Sequence, residues 1–376
     1  MPVLPSRAPG SYRAQAPRTL WRLATTRAVA PRHVLRLTPL LLISLAACGD
    51  EVLAPRNALG ANSAVSMAVV AAAATDLGTL RGGTFSEARA VNASGQVVGS
   101  SNNGEGVSRA ARWQQGVIRN LGTLPGTISS FGNGINTVGQ IVGFSTSSLG
   151  AKRAFLWNQG ALTDLGTLRG GNSSAATAID DNGTVVGYGT TKEGASHAVI
   201  WLPTGIKDLL TLPGGSLSEA DAISAAGVVG YSGTARGNFH AVLWRQNSII
   251  DLGTPPDYPD CFAFGINSAG DVVGFCISSA GNNRAILWQK GAITNLGTLP
   301  GGISSTANSI NASGQIVGLS TTAQGETHAV LWQNGGVTDL GTLAGGHRSV
   351  AFAINNVGRV AGFSANSAGD TRAVTW

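Results

Sequence analysis

The chain has 376 residues, of which 43% are hydrophobic and 12% charged, with 53 glycines and three cysteines. Seven of the 25 Lys+Arg and none of the 19 Asp+Glu lie within residues 1–47, which leaves 18 bases against 19 acids beyond them. That near-neutral remainder excludes the basic stripe a nucleic-acid binder needs to neutralise phosphates.

In chain order, Arg7, Arg13, Arg18, Arg22, Arg27, Arg32 and Arg36 precede the apolar run Leu37–Ala47. A run of that length falls short of the ~20 residues a helix needs to span a bilayer, and a basic region leading into a short apolar one is the pattern of an export signal. The run ends in Leu45-Ala46-Ala47-Cys48, which resembles a bacterial lipobox. The resemblance implies a signal peptide over 1–47, with Cys48 as the lipidated first residue after cleavage and acyl chains as the only membrane attachment. Residues 48–66 are small and polar without apolar periodicity, as expected of a tether. The expected location is the cell envelope, at the outer membrane or cell surface, with secretion as the alternative.

Residues 67–376 are organised by repetition. Trp113, Trp157, Trp201, Trp244, Trp288, Trp332 and Trp376 recur every 44 residues, except for one step of 43. Leu77, Leu121, Leu165, Leu209, Leu252, Leu296 and Leu340 keep the same beat. The short step maps to Ser224-Ala225-Ala226-Gly227, which lacks one residue relative to Asp180-Asp181-Asn182-Gly183-Thr184. Each unit reads as four short strands separated by turn signals. In the sixth these are Ala307–Ile310, Gln315–Ser320, His328–Trp332 and Gly336–Gly341. Four strands in about 44 residues is the size of a propeller blade, whereas one turn of a β-solenoid, the alternative, uses about half that. The last unit holds only three strands, and an orphan fourth-strand sequence, Ala71–Gly78, precedes the first unit. The expected fold is therefore an all-β, seven-bladed propeller of four-stranded blades whose N-terminal strand closes the last blade.

The blocks HAVLW at 240–244 and 328–332, HAVIW at 197–201, RAFLW at 153–157, the DLGTL segments and the I-N-x-x-G-x-V-V-G segments together resemble the HAF repeat of predicted bacterial extracellular repeat proteins, from about Ala74 to Trp376. The resemblance implies export and a repeat fold, and carries no catalytic residues to map here. A weaker likeness to WD-repeat blades stops at the tryptophan, because Asn158, Leu202, Arg245, Gln289 and Gln333 stand where those blades have aspartate.

The repeated tryptophans read as packing between blades, since they recur inside an apolar strand. His197, His240 and His328 open the third strand where other repeats place Arg109, Arg153, Arg284 and Arg372. Arginine does not release its proton at ordinary pH, so this exchange disfavours a metal ligand and suggests polar contacts to a neighbouring loop. Asp76, Asp164, Asp208, Asp251 and Asp339 exchange with Asn120 and Asn295 at the fourth strand, which points to hydrogen bonding with backbone rather than acid–base work. The oxygen-rich Asp180-Asp181-Asn182-Gly183 reads first as a turn, with calcium a minor alternative. No catalytic set, metal site or cofactor is expected.

The fifth repeat breaks the pattern with Thr254-Pro255-Pro256-Asp257-Tyr258-Pro259-Asp260-Cys261. Folding its hairpin about Asn267–Gly270 sets Ile266 opposite Asp271 and Cys261 opposite Cys276, which predicts a disulfide in an oxidising compartment. Asp257, Tyr258 and Asp260 make this loop a candidate ligand contact. The expected function is a non-catalytic, monomeric binding or scaffold module recognising a glycan or a protein. A propeller lyase or hydrolase, and a purely structural surface protein, are the alternatives.

Overall fold

A computed structural model describes residues 73–376, so Cys48, the leader, the tether and residues 67–72 lie outside the described residues. The described residues form seven antiparallel four-stranded sheets and no helix. Blades 1 to 6 span Ser86–Asn120, Ser129–Asp164, Ser174–Asp208, Ser218–Asp251, Asp260–Asn295 and Ser305–Gly341. Blade 7 combines Ser349–Ile354, Val360–Ala365 and Thr371–Thr375 with Thr75–Asp76, which pairs antiparallel with Thr371–Thr375 as its outermost strand.

The ring closes as the repeat arithmetic requires, and the open solenoid is excluded. Blade 7 contacts blade 1 through the elements that join every other pair of blades. Leu77 N donates to Ala373 O at 2.8 Å, and the Arg372 Nε lies 3.2 Å from Asp76 Oδ2. The turn asparagines supply a second closure. Asn92 donates from Nδ2 to Asn136 O, Asn136 to Asp180 O, Asn267 to Asn311 O, Asn311 to Asn355 O, and Asn355 back to Asn92 O. Each of these asparagines also accepts on Oδ1 from the backbone N–H four residues on, such as Gln96 or Gln140, so one side chain shapes its own turn and reaches the next blade.

The first strand of each blade lies innermost and the fourth outermost. Within each blade the first strand bulges close over the second because the second carries glycine there: a Cβ on Gly143 would stand 1.9 Å from Phe131 O, and Gly99, Gly230, Gly274 and Gly362 are equally constrained. The bulge skips one residue in every first strand, namely Arg89, Asn133, Thr177, Asp221, Phe264, Asn308 and Phe352.

The bulge also explains a register detail in blade 5. Ile266 pairs with Val272 rather than Asp271, because the turn is one residue longer than expected. The extra residue at Phe264 restores the count, and Cys261 pairs with Cys276 as the folded hairpin requires.

Candidate functional site

The repeated residues build the wall. Trp113, Trp157, Trp201, Trp244, Trp288 and Trp332 are buried, and each packs on the preceding blade; Trp201, for example, lies against Val142 and Ala154 of blade 2. Trp376 is half-buried against blade 6. A buried serine at the start of the first strand accepts from the previous blade's third strand, as Ser130 Oγ does from Ala110 N and, across the closing seam, Ser86 Oγ from Ala373 N.

The histidines and arginines opening the third strand pair mostly inside their own blade, not with a neighbouring loop. His197, His240 and His328 each place Nδ1 2.7 Å from the Oδ2 of Asp208, Asp251 and Asp339, and Arg153 meets Asp164 in the same way. The second carboxylate oxygen accepts from backbone two residues on, as Asp208 Oδ1 does from Leu210 N. Where the fourth strand has asparagine, the arginine turns to a loop instead: Arg109 donates to Ile128 O at 2.7 Å, and Arg284 donates to Ile303 O. Asparagine offers no negative charge, so the guanidinium takes a carbonyl. Asp180 and Asp181 are likewise used by backbone, from Asn182, Thr184 and Thr137.

Blade 5 replaces this wiring with a covalent bond. Cys261 and Cys276 form the disulfide, at the two positions where blade 6 has Ser305 and Ser320. Ser320 accepts from Leu299 N in the loop before it. The corresponding residue in blade 5 is Pro255, which has no N–H to offer. Around the disulfide, Tyr258 packs half-buried on the core, Asp260 Oδ1 accepts from Phe239 N at 2.8 Å, and Asp257 is exposed with φ at +66°.

A different constellation emerges at the central channel. First strands begin, second strands end and third strands begin at one face, so the loops between the fourth and first strands and between the second and third surround one mouth. Two cross-strand ring positions there vary around the ring, with only the Phe–Phe pair of blades 2 and 5 repeated: Glu87 with Ser100, Phe131 with Phe144, Ala175 with Tyr188, Glu219 with Tyr231, Phe262 with Phe275, Thr306 with Leu319, and Val350 with Phe363. With the bulge residues, these positions and the start of the third strand hold eight of the ten phenylalanines.

The rings interlock across the seams. Phe131 stacks on Phe144 at 5.0 Å, and Lys152 Nζ lies 4.1 Å from the Phe144 centroid and 2.7 Å from Tyr188 Oη. Between blades 4 and 5, Tyr231 meets Phe262 edge-on at 4.9 Å and Phe239 at 5.8 Å, and Phe262 stacks on Phe275 at 5.1 Å. Between blades 7 and 1, Arg89 lies 4.3 Å above Phe352 while bonding both oxygens of Glu87. Tyr188, Tyr231, Phe239, Phe264 and Phe352 are half-buried, so their faces reach both protein and solvent.

Blade 4 adds two acids. Burial, then the neighbouring Glu219, pushes the Asp221 carboxyl well above the usual carboxylate range. Burial, then Glu219 and Asp221, raises the Tyr231 phenol as well, and Glu219 accepts a hydrogen bond from it. The repeat pattern hid this mouth because its residues are the exceptions at each ring position. Aligning the seven units and asking where large or charged side chains fail to recur would have found it.

No family model matches the chain, and no curated protein resembles it in sequence. The β-propeller domain of the Trilobed protease from Pyrococcus furiosus superposes with a TM-score of 0.51 at 8% identity, covering 78% of this chain and 95% of that one. TolB from Acinetobacter baumannii gives 0.45 at 12% identity over 63% of this chain, which spans 60% of TolB. The fucose-specific lectin from Aleuria aurantia gives 0.41 at 12% identity, covering 68% and 95%. At such identities the first of these supports the propeller fold and nothing about activity.

Proposed function

We propose that the protein is a non-enzymatic recognition module of the cell envelope, exported and anchored through Cys48, that binds a polysaccharide across the mouth of its channel. The observation that carries this reading is the confinement of large side-chain variation to the mouth. Packing accounts for tryptophan, serine and glycine at fixed wall positions, but gives no reason for the thirteen aromatic and charged side chains of the ring and bulge positions to gather on one face. Half-buried rings beside carboxylates and hydroxyls offer sugars both apolar faces and hydrogen-bond partners. The lipobox at Leu45–Cys48 and the disulfide favour an exported location, and the HAF-like repeats fit the same setting.

The test is a binding screen of the purified protein against envelope polysaccharides, repeated with Tyr188→Ala and Phe264→Ala. Binding that both variants weaken at least tenfold, and that Val357→Ser on the opposite face leaves unchanged, supports the reading. Absence of binding to any polysaccharide would sink it.

One observation favours a second reading, a glycoside hydrolase: Glu219 and Asp221 are neighbouring carboxyls, and burial with the Glu219 charge raises the Asp221 pKa, as an acid beside its partner base requires. Release of new reducing ends on long incubation, abolished by Glu219→Gln, would replace the binding reading with this one.

A further inference from the structure

We propose that Arg112 and Arg119, side by side on the outer flank of blade 1 where it meets blade 2, form a binding site for a phosphate monoester group. The site lies on the outer strands and does not depend on what the mouth of the channel takes.

Blade 1 departs from the repeat at two positions that face each other. Arg112 of the third strand pairs with Arg119 of the fourth, where blade 2 pairs Leu156 with Thr163 and blade 5 pairs Leu287 with Thr294. In blades 2 to 6 the third-strand residue is aliphatic. It packs toward the tryptophan of the next blade, as Leu156 does toward Trp201. Arg112 takes that place against Trp157, with its Cζ 5.3 Å from the ring centroid, and Arg119 brings a second guanidinium to 5.5 Å. One cation beside an indole is stabilising, but a second repels the first, and like charges directly opposed across two strands weaken a sheet.

No described group offsets that repulsion. Neither guanidinium hydrogen-bonds or ion-pairs with a described residue, and Arg112 Nε is sealed from solvent without an acceptor. Burial, then the charge of Arg119, holds the Arg112 guanidinium below the usual arginine range, with no carboxylate acting the other way. Arg112 is half-buried and Arg119 exposed, and of the Arg112 nitrogens only Nε is a sealed orphan, so the Nη groups of both remain open to an entering anion. Packing alone would be satisfied by the leucine and threonine of blade 2, and supplies no reason for two cations here.

Charge and shape select the ligand. Two guanidiniums without a counter-ion match a dianion, and a phosphate monoester carries about −1.5 to −2 near neutral pH with three acceptor oxygens. A carboxylate brings one charge and two coplanar oxygens, enough for one guanidinium fork. Tetrahedral oxygens serve two forks that start from different strands. Trp157 holds both cations from one side, which lowers the ordering cost of binding. A soluble ester and a lipid headgroup present this same group.

The experiment is calorimetric titration of the purified protein, at fixed ionic strength, with methyl phosphate, inorganic phosphate and acetate, alongside sedimentation with phosphatidic acid and phosphatidylcholine vesicles. Both phosphates should bind at least tenfold more tightly than acetate. Arg112→Leu with Arg119→Thr copies the Leu156–Thr163 pair of blade 2, so it keeps the fold, and it should weaken both phosphates at least tenfold. Arg119→Thr alone, at an exposed position, should weaken them at least threefold. Phe264→Ala at the mouth should leave them within twofold, which separates this site from the polysaccharide reading. A preference for phosphatidic acid vesicles that the double variant loses supports the site and assigns its phosphate to a lipid. Phosphate binding without that preference supports it with a soluble ester. Acetate binding as tight as methyl phosphate, phosphate binding that the double variant leaves unchanged, or no binding of either phosphate overturns the proposal.

Discussion

The wall between blades and the mouth of the channel are built from the same strands under opposite rules. In the wall a residue is valuable because it recurs: a tryptophan meets the same kind of neighbours at each seam, a serine hydroxyl does so at every seam but the one entering blade 5, and a glycine lets each second strand lie close under its first. In the mouth no two blades present the same set, and Glu87, Phe131, Glu219 and Phe262 occupy equivalent places. Seven copies of one solution to packing leave the innermost strand free to differ, because its side chains pack against the equally variable ring positions of their own and the neighbouring blade. Repetition thus separates stability from recognition within each strand.

The sharpest way to break that separation is at the closing seam. Removing residues 67–80 deletes Thr75–Asp76 and exposes the edge of Thr371–Thr375. The melting temperature should fall on the order of 10 °C, with association visible by light scattering. Trp201→Ala should cost about 3–5 kcal/mol in chemical denaturation while leaving ligand affinity within twofold where the protein is folded. A wall residue that altered affinity more than stability would refute the division.

The disulfide closes a separation of 15 residues, and replacing both cysteines by serine should cost about 3 kcal/mol. Adding Pro255→Leu to that variant restores the N–H that the serine at 276 needs, and should recover about 1 kcal/mol by denaturant titration. Asp221→Asn should act in the opposite direction, raising stability at neutral pH by about 1–3 kcal/mol. Because its folded-state pKa is raised, the native protein keeps a proton that the unfolded chain loses above about pH 4, so wild-type stability declines as pH rises from there through the folded pKa. Asp221→Asn removes that decline, and its advantage should vanish near pH 3. The smallest effect belongs to Asp208→Asn, which breaks a partly exposed pair with His197 and should change stability by less than about 1 kcal/mol.

Much of the wall was legible from sequence. Tryptophan spacing yielded blade number, the orphan segment before blade 1 yielded the closure, and hairpin pairing located the Cys261–Cys276 bond despite a turn one residue longer than assumed. The histidines were placed correctly but given the wrong partner, since the aspartate eleven residues on becomes their neighbour only when the third and fourth strands pair. The mouth was not seen, and the fifth-blade loop drew attention instead because it departs most from the repeat in composition. Its Tyr258 and Asp260 turn inward to the core and to the Phe239 backbone.

The sequence by itself determined the period, the strand order within a unit and the number of units, because a 44-residue beat of buried tryptophan and turn glycine permits one strand arrangement per repeat. Only the tertiary structure decided which exceptions meet. Glu219, Tyr231, Phe239 and Phe262 come together because ring closure brings the inner strands of successive blades side by side, and Asp221 stands out because the same closure gives Asn133, Thr177 and Asn308 a carbonyl to bond. Contacts between repeats depend on how the blades are arranged around the axis, and that arrangement is set by packing across whole sheets rather than by any local stretch of chain.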